Sequence, residues 1–149
     1  MSTPINWSDS TAKVSEYFTV KECLWLPQWS RMASEADGLD STIKSNIART
    51  CSRMDVVREA LQAPITVHCF YRPEAYNKLV GGASNSSHLH GLACDFHVAK
   101  MSCDAARALI LKLNLLEHFE MRMEDLEGAN WIHLDIRPVA PGGHRYFKP

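Results

Sequence analysis

The stretch Ser86-Ser87-His88-Leu89-His90-Gly91-Leu92-Ala93-Cys94-Asp95 decides how the rest of the chain is read. An imidazole at 88 is followed, seven residues on, by a carboxylate, with a glycine between them where the backbone must turn. From Cys94 to Val98 the residues alternate, which predicts a strand with Cys94, Phe96 and Val98 in the core and Asp95 and His97 on the other face. Trp131 to Ile136 alternates more cleanly still. Ile132, Leu134 and Ile136 face inward there, and Trp131, His133 and Asp135 face away. His88, Asp95 and His133 are therefore nitrogen and oxygen donors on separate segments. Three such donors, with a fourth position left to water, form the ligand set of a catalytic zinc ion. Zinc lowers the pKa of water to about 7 and supplies a nucleophile that no side chain offers. Spacing alone does not decide the matter. Among seven histidines a His/Asp/His trio also reads as a surface coincidence.

Working upstream, Ile65 to Arg72 alternates like a strand, with Ile65, Val67, Cys69 and Tyr71 on one face and Thr66, His68, Phe70 and Arg72 on the other. Pro73 opens a short helix through Leu79, and residues 81–87 form a loop. Asp40 and Ser41 cap a long helix along which Ile43, Ile47, Met54, Val57 and Leu61 recur. Thr19 and Glu22 make a capping box, after which Cys23-Leu24-Trp25-Leu26 begins a short helix limited by Pro27. Downstream, Ser102 caps a helix over 104–113, Glu117 to Met123 reads as a third strand, and Pro141-Gly142-Gly143 is a turn followed by a tail. Helices come first and strands are interspersed later, which predicts an α+β fold with a small antiparallel sheet packed against helices.

The chain has 149 residues, near the usual size of one domain, and reads as a single domain over 1–149. Hydrophobic residues make up 46% and charged residues 22%, a globular composition that excludes intrinsic disorder. Sixteen basic residues against 17 acidic ones give a net charge of −1, so electrostatics argues for neither nucleic acid nor a stable membrane partner. Five cysteines without a CxxC pair read as reduced, mostly buried thiols, not as a disulfide framework or a zinc ribbon. Met1 to Ser10 lacks the layout of a secretory signal, which leads us to expect cytoplasmic synthesis. The longest apolar run, around Ala108 to Leu116, is too short to span a bilayer.

Ser86-x-His88-x-x-Gly91-x-Ala93-x-Asp95 matches the Ser-x-His-x-x-Gly-x-Ala-x-Asp pattern of the zinc DD-peptidases. That family holds zinc D-Ala-D-Ala carboxypeptidases and dipeptidases and phage L-alanyl-D-glutamate endopeptidases, and it shares the Hedgehog/DD-peptidase fold. Phe70-Tyr71-Arg72-Pro73-Glu74-Ala75-Tyr76-Asn77 resembles the family's Tyr-Arg-Ser-Pro-x-Tyr-Asn segment but lacks the serine after the arginine. Trp131-Ile132-His133-Leu134-Asp135 is similar to its last metal-binding strand. The three blocks occur in order over residues 65–138, leaving 1–63 as mostly helical packing.

The resemblance implies that His88, Asp95 and His133 bind zinc, that Arg72 serves catalysis at the substrate cleft, and that Ser86 touches substrate or caps a turn. Gly91 would keep the metal loop uncrowded, and Trp131 would wall the substrate. Many members carry an acid three positions before the last ligand, where this chain has Asn130. Glu127, on a loop softened by Gly128-Ala129, is the expected general base. Asp135 is the alternative base or else a group that orients a ligand, and Glu124 and Asp125 rank below both as strand-end or loop charges. His90 reads as exposed, His97 as a cleft neighbour, and Cys94 as a core thiol. The implied function is a zinc metallopeptidase cutting peptidoglycan stem peptides, a phage-type endolysin or virion-borne lysin that acts at the bacterial wall. A zinc-containing binding or structural domain of the same fold, without hydrolysis, is the alternative that Asn130 favours.

Overall fold

Asp40 opens the longest helix, α2 (Ser41–Leu61), by accepting a hydrogen bond from the Ile43 amide at 2.9 Å. Its inner face buries Ile47, Cys51, Met54, Val57 and Leu61. Gln62 ends it in the left-handed region (φ 54°), and Pro64 bars its continuation. The computed structural model describes residues 3–149. Among them, no helix is long and apolar enough to cross a membrane.

Helix α1 (Val20–Leu24) has the capping box read in the sequence. The Thr19 hydroxyl accepts from the Glu22 amide at 3.3 Å, and the Glu22 carboxylate accepts from the Thr19 amide at 3.0 Å. The helix is shorter than expected at its far end. Trp25 and Leu26 leave it as β1 (Trp25–Leu26), paired with β2 (Arg31–Met32), because the residue before a proline is driven out of the helical region.

The remaining strands are β3 (Ile65–Cys69), β4 (Ala93–Val98), β5 (Arg122–Glu124), β6 (Ile132–Asp135) and β7 (Tyr146–Phe147). They form one sheet in the order β3-β4-β6-β5-β7. All neighbours are antiparallel except β5 and β7. Helices α3 (Glu74–Leu79), α4 (Cys103–Lys112) and α5 (Leu115–His118) complete the α+β architecture, with the sheet and α2 sharing one apolar core. Cys94 and Phe96, on the inward face of β4, are fully buried, as the alternation required.

Three expectations are corrected by long-range contacts. The alternation predicted to Arg72 stops at Cys69, where the β3–β4 register slips, and Phe70 and Tyr71 are both buried. Of the expected 117–123 strand only Arg122 and Met123 are in β5, which runs one residue further to Glu124. Leu115 and Leu116 are drawn into the core as the helical turn α5, and Glu120 reverses the chain at φ 54°. The C-terminal segment is not a loose tail, since β7 adds a parallel edge to β5.

Gly91 has a different role from the one anticipated. At φ 72° it follows the first donor loop, and a Cβ there would lie 2.6 Å from Ile47 Cγ1 and 3.1 Å from the Ile43 carbonyl. The crowding is against α2, not against the metal donors. Gly91→Ala should therefore cost roughly 2–4 kcal/mol in stability, combining the left-handed penalty with overpacking, as read by urea denaturation.

Candidate metal centre

The register of the sheet builds the site. Asp95 of β4 pairs with His133 of β6, and one step along β5–β6 from the Met123–Leu134 pair brings Glu124 beside His133. Cys69 lies across from Asp95 on β3, and Phe147 across from Glu124 on β7. One transverse row of the sheet thus carries Asp95, His133 and Glu124 on adjacent strands. His88 reaches this row from a 3₁₀ turn (Ser87–His90) that Ser86 caps by accepting from the His88 amide at 3.2 Å.

Each imidazole has one nitrogen engaged by the surrounding protein and the other turned toward Asp95. His88, 1% exposed, donates from Nδ1 to the Phe70 carbonyl at 2.7 Å, which leaves Nε2 as the lone-pair nitrogen 3.1 Å from Asp95 Oδ1. His133 Nδ1 lies 2.9 Å from the same carboxylate oxygen, while its Nε2 donates to Asp135 Oδ2 at 3.0 Å. Asp135 is in turn gripped by Arg122, with Nε at 2.8 Å and a terminal nitrogen at 3.0 Å. His88 Nε2 is buried without a hydrogen-bond partner among the described residues. A buried nitrogen left unpaired costs free energy. A cation placed between it, Asp95 and His133 would satisfy all three. Their ligand atoms lie within 4.8 Å of one another, and an N/O/N donor set suits zinc. Asp135 then occupies the position of the carboxylate that orients a metal-bound imidazole.

Proton affinities reflect the same arrangement. Burial disfavours charge on both imidazoles, but the Asp95 carboxylate outweighs it at His88, which is raised to about 10. At His133, Asp135 and Asp95 together outweigh burial and raise it to about 9. Burial also works against the Asp95 carboxylate, yet the two imidazoles hold its pKa well below the ordinary carboxylate range. These protons stand where a divalent ion would compete for the same lone pairs.

Glu124 supplies a carboxylate at the edge of the trio, 3.9 Å from His133 Nε2. Its pKa is raised, because partial burial outweighs the pull of His133. The trio opens into a cleft of about 470 Å³ that Arg72, Ser86, Glu124, Arg137 and Phe147 also line. Arg72 and Ser86 thus both stand at the cleft beside the donor cluster. Two other expected residues are not brought there. Glu127 is exposed and absent from the cleft wall. Its loop does not swing toward the metal donors because α4 pins it: Asp104 accepts from the Gly128 amide at 2.9 Å, and Arg107 donates to the Trp131 carbonyl at 2.8 Å. Trp131, 41% exposed, lies outside the cleft as well. His90 is exposed, Cys94 is sealed in the core, and His97 pairs with His68 away from the donors.

The family model described as Peptidase M15 matches residues 17–135. The chain belongs to the M15 family. Membership extends the resemblance well upstream of the 65–138 motif region, so α1, α2 and the β1–β2 hairpin are part of the family domain. It also places the α+β sheet and the His88/Asp95/His133 cluster within a family of zinc DD-peptidases. No curated protein matches the chain. For this M15 domain, Asp135→Asn is expected to weaken metal affinity by about ten- to a hundredfold. Competition with a fluorescent zinc chelator measures it, and unchanged affinity would remove Asp135 from the role of orienting group.

The sequence reading ranked Glu124 below Glu127 and Asp135, although a signal for its face was present. Arg122, Met123 and Glu124 alternate, with Met123 fully buried and its neighbours on the opposite face. Strand length hid it, since three residues give little periodicity.

Proposed function

We propose that this M15 domain is a zinc peptidase that hydrolyses peptide bonds in peptidoglycan stem peptides, acting as a lysin of the phage type at the bacterial wall. The observation that carries the reading is the pair of oriented imidazoles, His88 by the Phe70 carbonyl and His133 by Asp135, converging with Asp95 beside a carboxylate in an open cleft. Zinc held there would supply Lewis-acid polarisation of the scissile carbonyl and a nucleophilic water at neutral pH.

The residues of the chain account for the remaining chemistry. Glu124, which lines the cleft, would take the proton of the attacking water and return it to the leaving amine, and partial burial raises its pKa in the direction such a group needs. Arg72, held at the cleft by its backbone bond to the His88 carbonyl (3.0 Å), offers a guanidinium for a substrate carboxylate or the developing oxyanion. Ser86 caps the His88 turn and also lines the cleft, where its hydroxyl is within the space a substrate would fill. The non-catalytic alternative rested on Asn130, and Glu124 supplies the carboxylate that Asn130 lacks.

A suspension of Gram-negative peptidoglycan sacculi tests the proposal. The zinc-loaded protein should clear it and release new amines, EDTA should stop both, and added zinc should restore them. Clearing that persists after the metal is stripped would overturn the catalytic role of the site.

A further inference from the structure

Two of the five cysteines meet in the core. Cys23 of α1 and Cys51 of α2 are 28 residues apart in sequence, yet their sulfurs are 3.4 Å apart. Both side chains are sealed from solvent, at 1% and 0% exposure. The other three cysteines have different neighbours. Cys69 Sγ lies 3.8 Å from His88 Nδ1, Cys94 Sγ lies 3.9 Å from the Asp95 carbonyl, and Cys103 is half-buried at the start of α4. As small apolar groups, two buried thiols need no particular orientation toward each other. Here each sulfur is turned to the other. A disulfide brings its sulfurs to about 2.05 Å, so the gap to close is on the order of 1.4 Å, within the reach of small side-chain rotations.

The two helices that the sulfurs face across also carry the donor loop. On α2, Thr50, next to Cys51, donates to the Gly91 carbonyl at 2.9 Å, and Asn46 donates to the His90 carbonyl at 3.0 Å. On α1, the Cys23 carbonyl accepts from the Tyr71 amide at 3.2 Å, and the next amide, that of Arg72, donates to the His88 carbonyl at 3.0 Å. Helix α1 has only five residues, far too few to hold together without tertiary contacts. A covalent link from it to α2 would fasten the weaker of the two supports to the stronger.

We propose that Cys23 and Cys51 form a disulfide in an oxidising medium, and that the link clamps α1 to α2 beneath the metal-donor loop. This stands apart from the peptidase reading. The step balances as exchange with a small-molecule disulfide. The Cys23 thiolate attacks one sulfur of the reagent, and the other half leaves as a thiolate. The Cys51 thiolate then attacks the Cys23 sulfur of the mixed disulfide and expels the second half. The protein pair gives up two electrons and two protons, and the reagent is reduced to two thiols. Burial raises the Cys51 thiol pKa, so exchange waits until α1 lifts from the core, which uncovers Cys23 first.

The test holds the zinc-loaded protein in glutathione disulfide or in a phosphine reductant, then denatures, alkylates and digests it with trypsin. Mass spectrometry should find residues 22–31 joined to residues 50–53 in the oxidised sample and both peptides alkylated in the reduced one. A second pair of samples is refolded from urea in the same media, which gives the reagent free access to both thiols. The link should raise Tm by roughly 5–10 °C, as expected for closing a loop of this length in a domain of this size. In Cys23→Ala and in Cys51→Ala the oxidant should leave Tm unchanged. The peptide map is read on the wild-type chain, so it decides the matter even where a variant does not fold. Absence of the joined peptide after oxidative refolding, preferential joining of either cysteine to Cys69, Cys94 or Cys103, or a linked protein that melts below the reduced one would overturn the proposal. No readout depends on hydrolysis, so failure of the peptidase reading would leave this result standing.

Discussion

Glu124→Gln is expected to keep its fold and its metal while turnover falls by at least about a hundredfold, within the ~10²–10⁴ range of acid–base groups. The carboxylate lies one register step from the Met123–Leu134 pair, 3.9 Å from His133 Nε2, the nitrogen that faces Asp135, and it lines the same cleft as the donors. An amide there preserves size and polarity and removes only the ability to carry a proton. Glu127→Gln should leave turnover at the wild-type level, because the Asp104 and Arg107 contacts hold its loop outside the cleft. The pH profile gives an independent check. If Glu124 is the base it must be ionised, so activity should fall as pH drops through its pKa, which partial burial raises from the usual glutamate value. In Glu124→Gln that acidic limb should vanish from kcat/KM. A Glu124→Gln enzyme with full turnover, or a Glu127→Gln enzyme that is dead with metal bound, would reverse the assignment.

Loss of the metal should have the second largest effect, and its size should depend on pH with a definite sign. His88→Ala removes a ligand outright and should abolish stoichiometric zinc and all hydrolysis. In the wild-type chain, zinc at a hundredfold excess over its Kd should add about 2.7 kcal/mol to stability. For a domain of this size that corresponds to roughly 5–10 °C in Tm. Without metal, His88 at about 10 and His133 at about 9 are raised above 6.5. Their charged pairing with Asp95 therefore favours the fold fully below 6.5, and the benefit is lost as pH rises through 9 and 10. Zinc requires the same nitrogens deprotonated, so its affinity climbs with pH and each binding event releases protons. The zinc-induced gain in Tm should accordingly be wider at about pH 8 than at about pH 5. Calorimetric titration in buffers of different ionisation enthalpy should record the proton release. A gain in Tm that does not change with pH would mean that zinc does not displace protons from these histidines.

Much of the molecule was legible in local sequence because local interactions decide it. The caps at Thr19, Asp40 and Ser102 satisfy helix amides within three residues of themselves, and each is where the sequence placed it. Strands β4 and β6 were legible because apolar and polar residues alternate over four to six residues, the apolar ones toward the core and the polar ones toward the donor cluster. His88, Asp95 and His133 came from motif and alternation together, and the fold brings them within reach of one another. The short elements were not legible. Two- and three-residue strands such as β5 and β7 exist because a neighbouring strand completes their hydrogen bonds, and nothing within them announces it. Glu127 was misread for the same reason in reverse. Gly128-Ala129 looks free in sequence, but Asp104 and Arg107, more than twenty residues away, tie that loop to α4.

By itself, then, the sequence determined the α+β class, the helix starts and the two long strands of the donor face, since each depends on neighbours in the chain or on the pattern of a single segment. The tertiary structure alone decided which carboxylate stands beside the donors, which nitrogen of each imidazole faces Asp95, what Gly91 makes room for, and which two cysteines meet. Those outcomes depend on strand register and on contacts between distant segments, where a shift of one residue would turn Glu124 to the opposite face of the sheet.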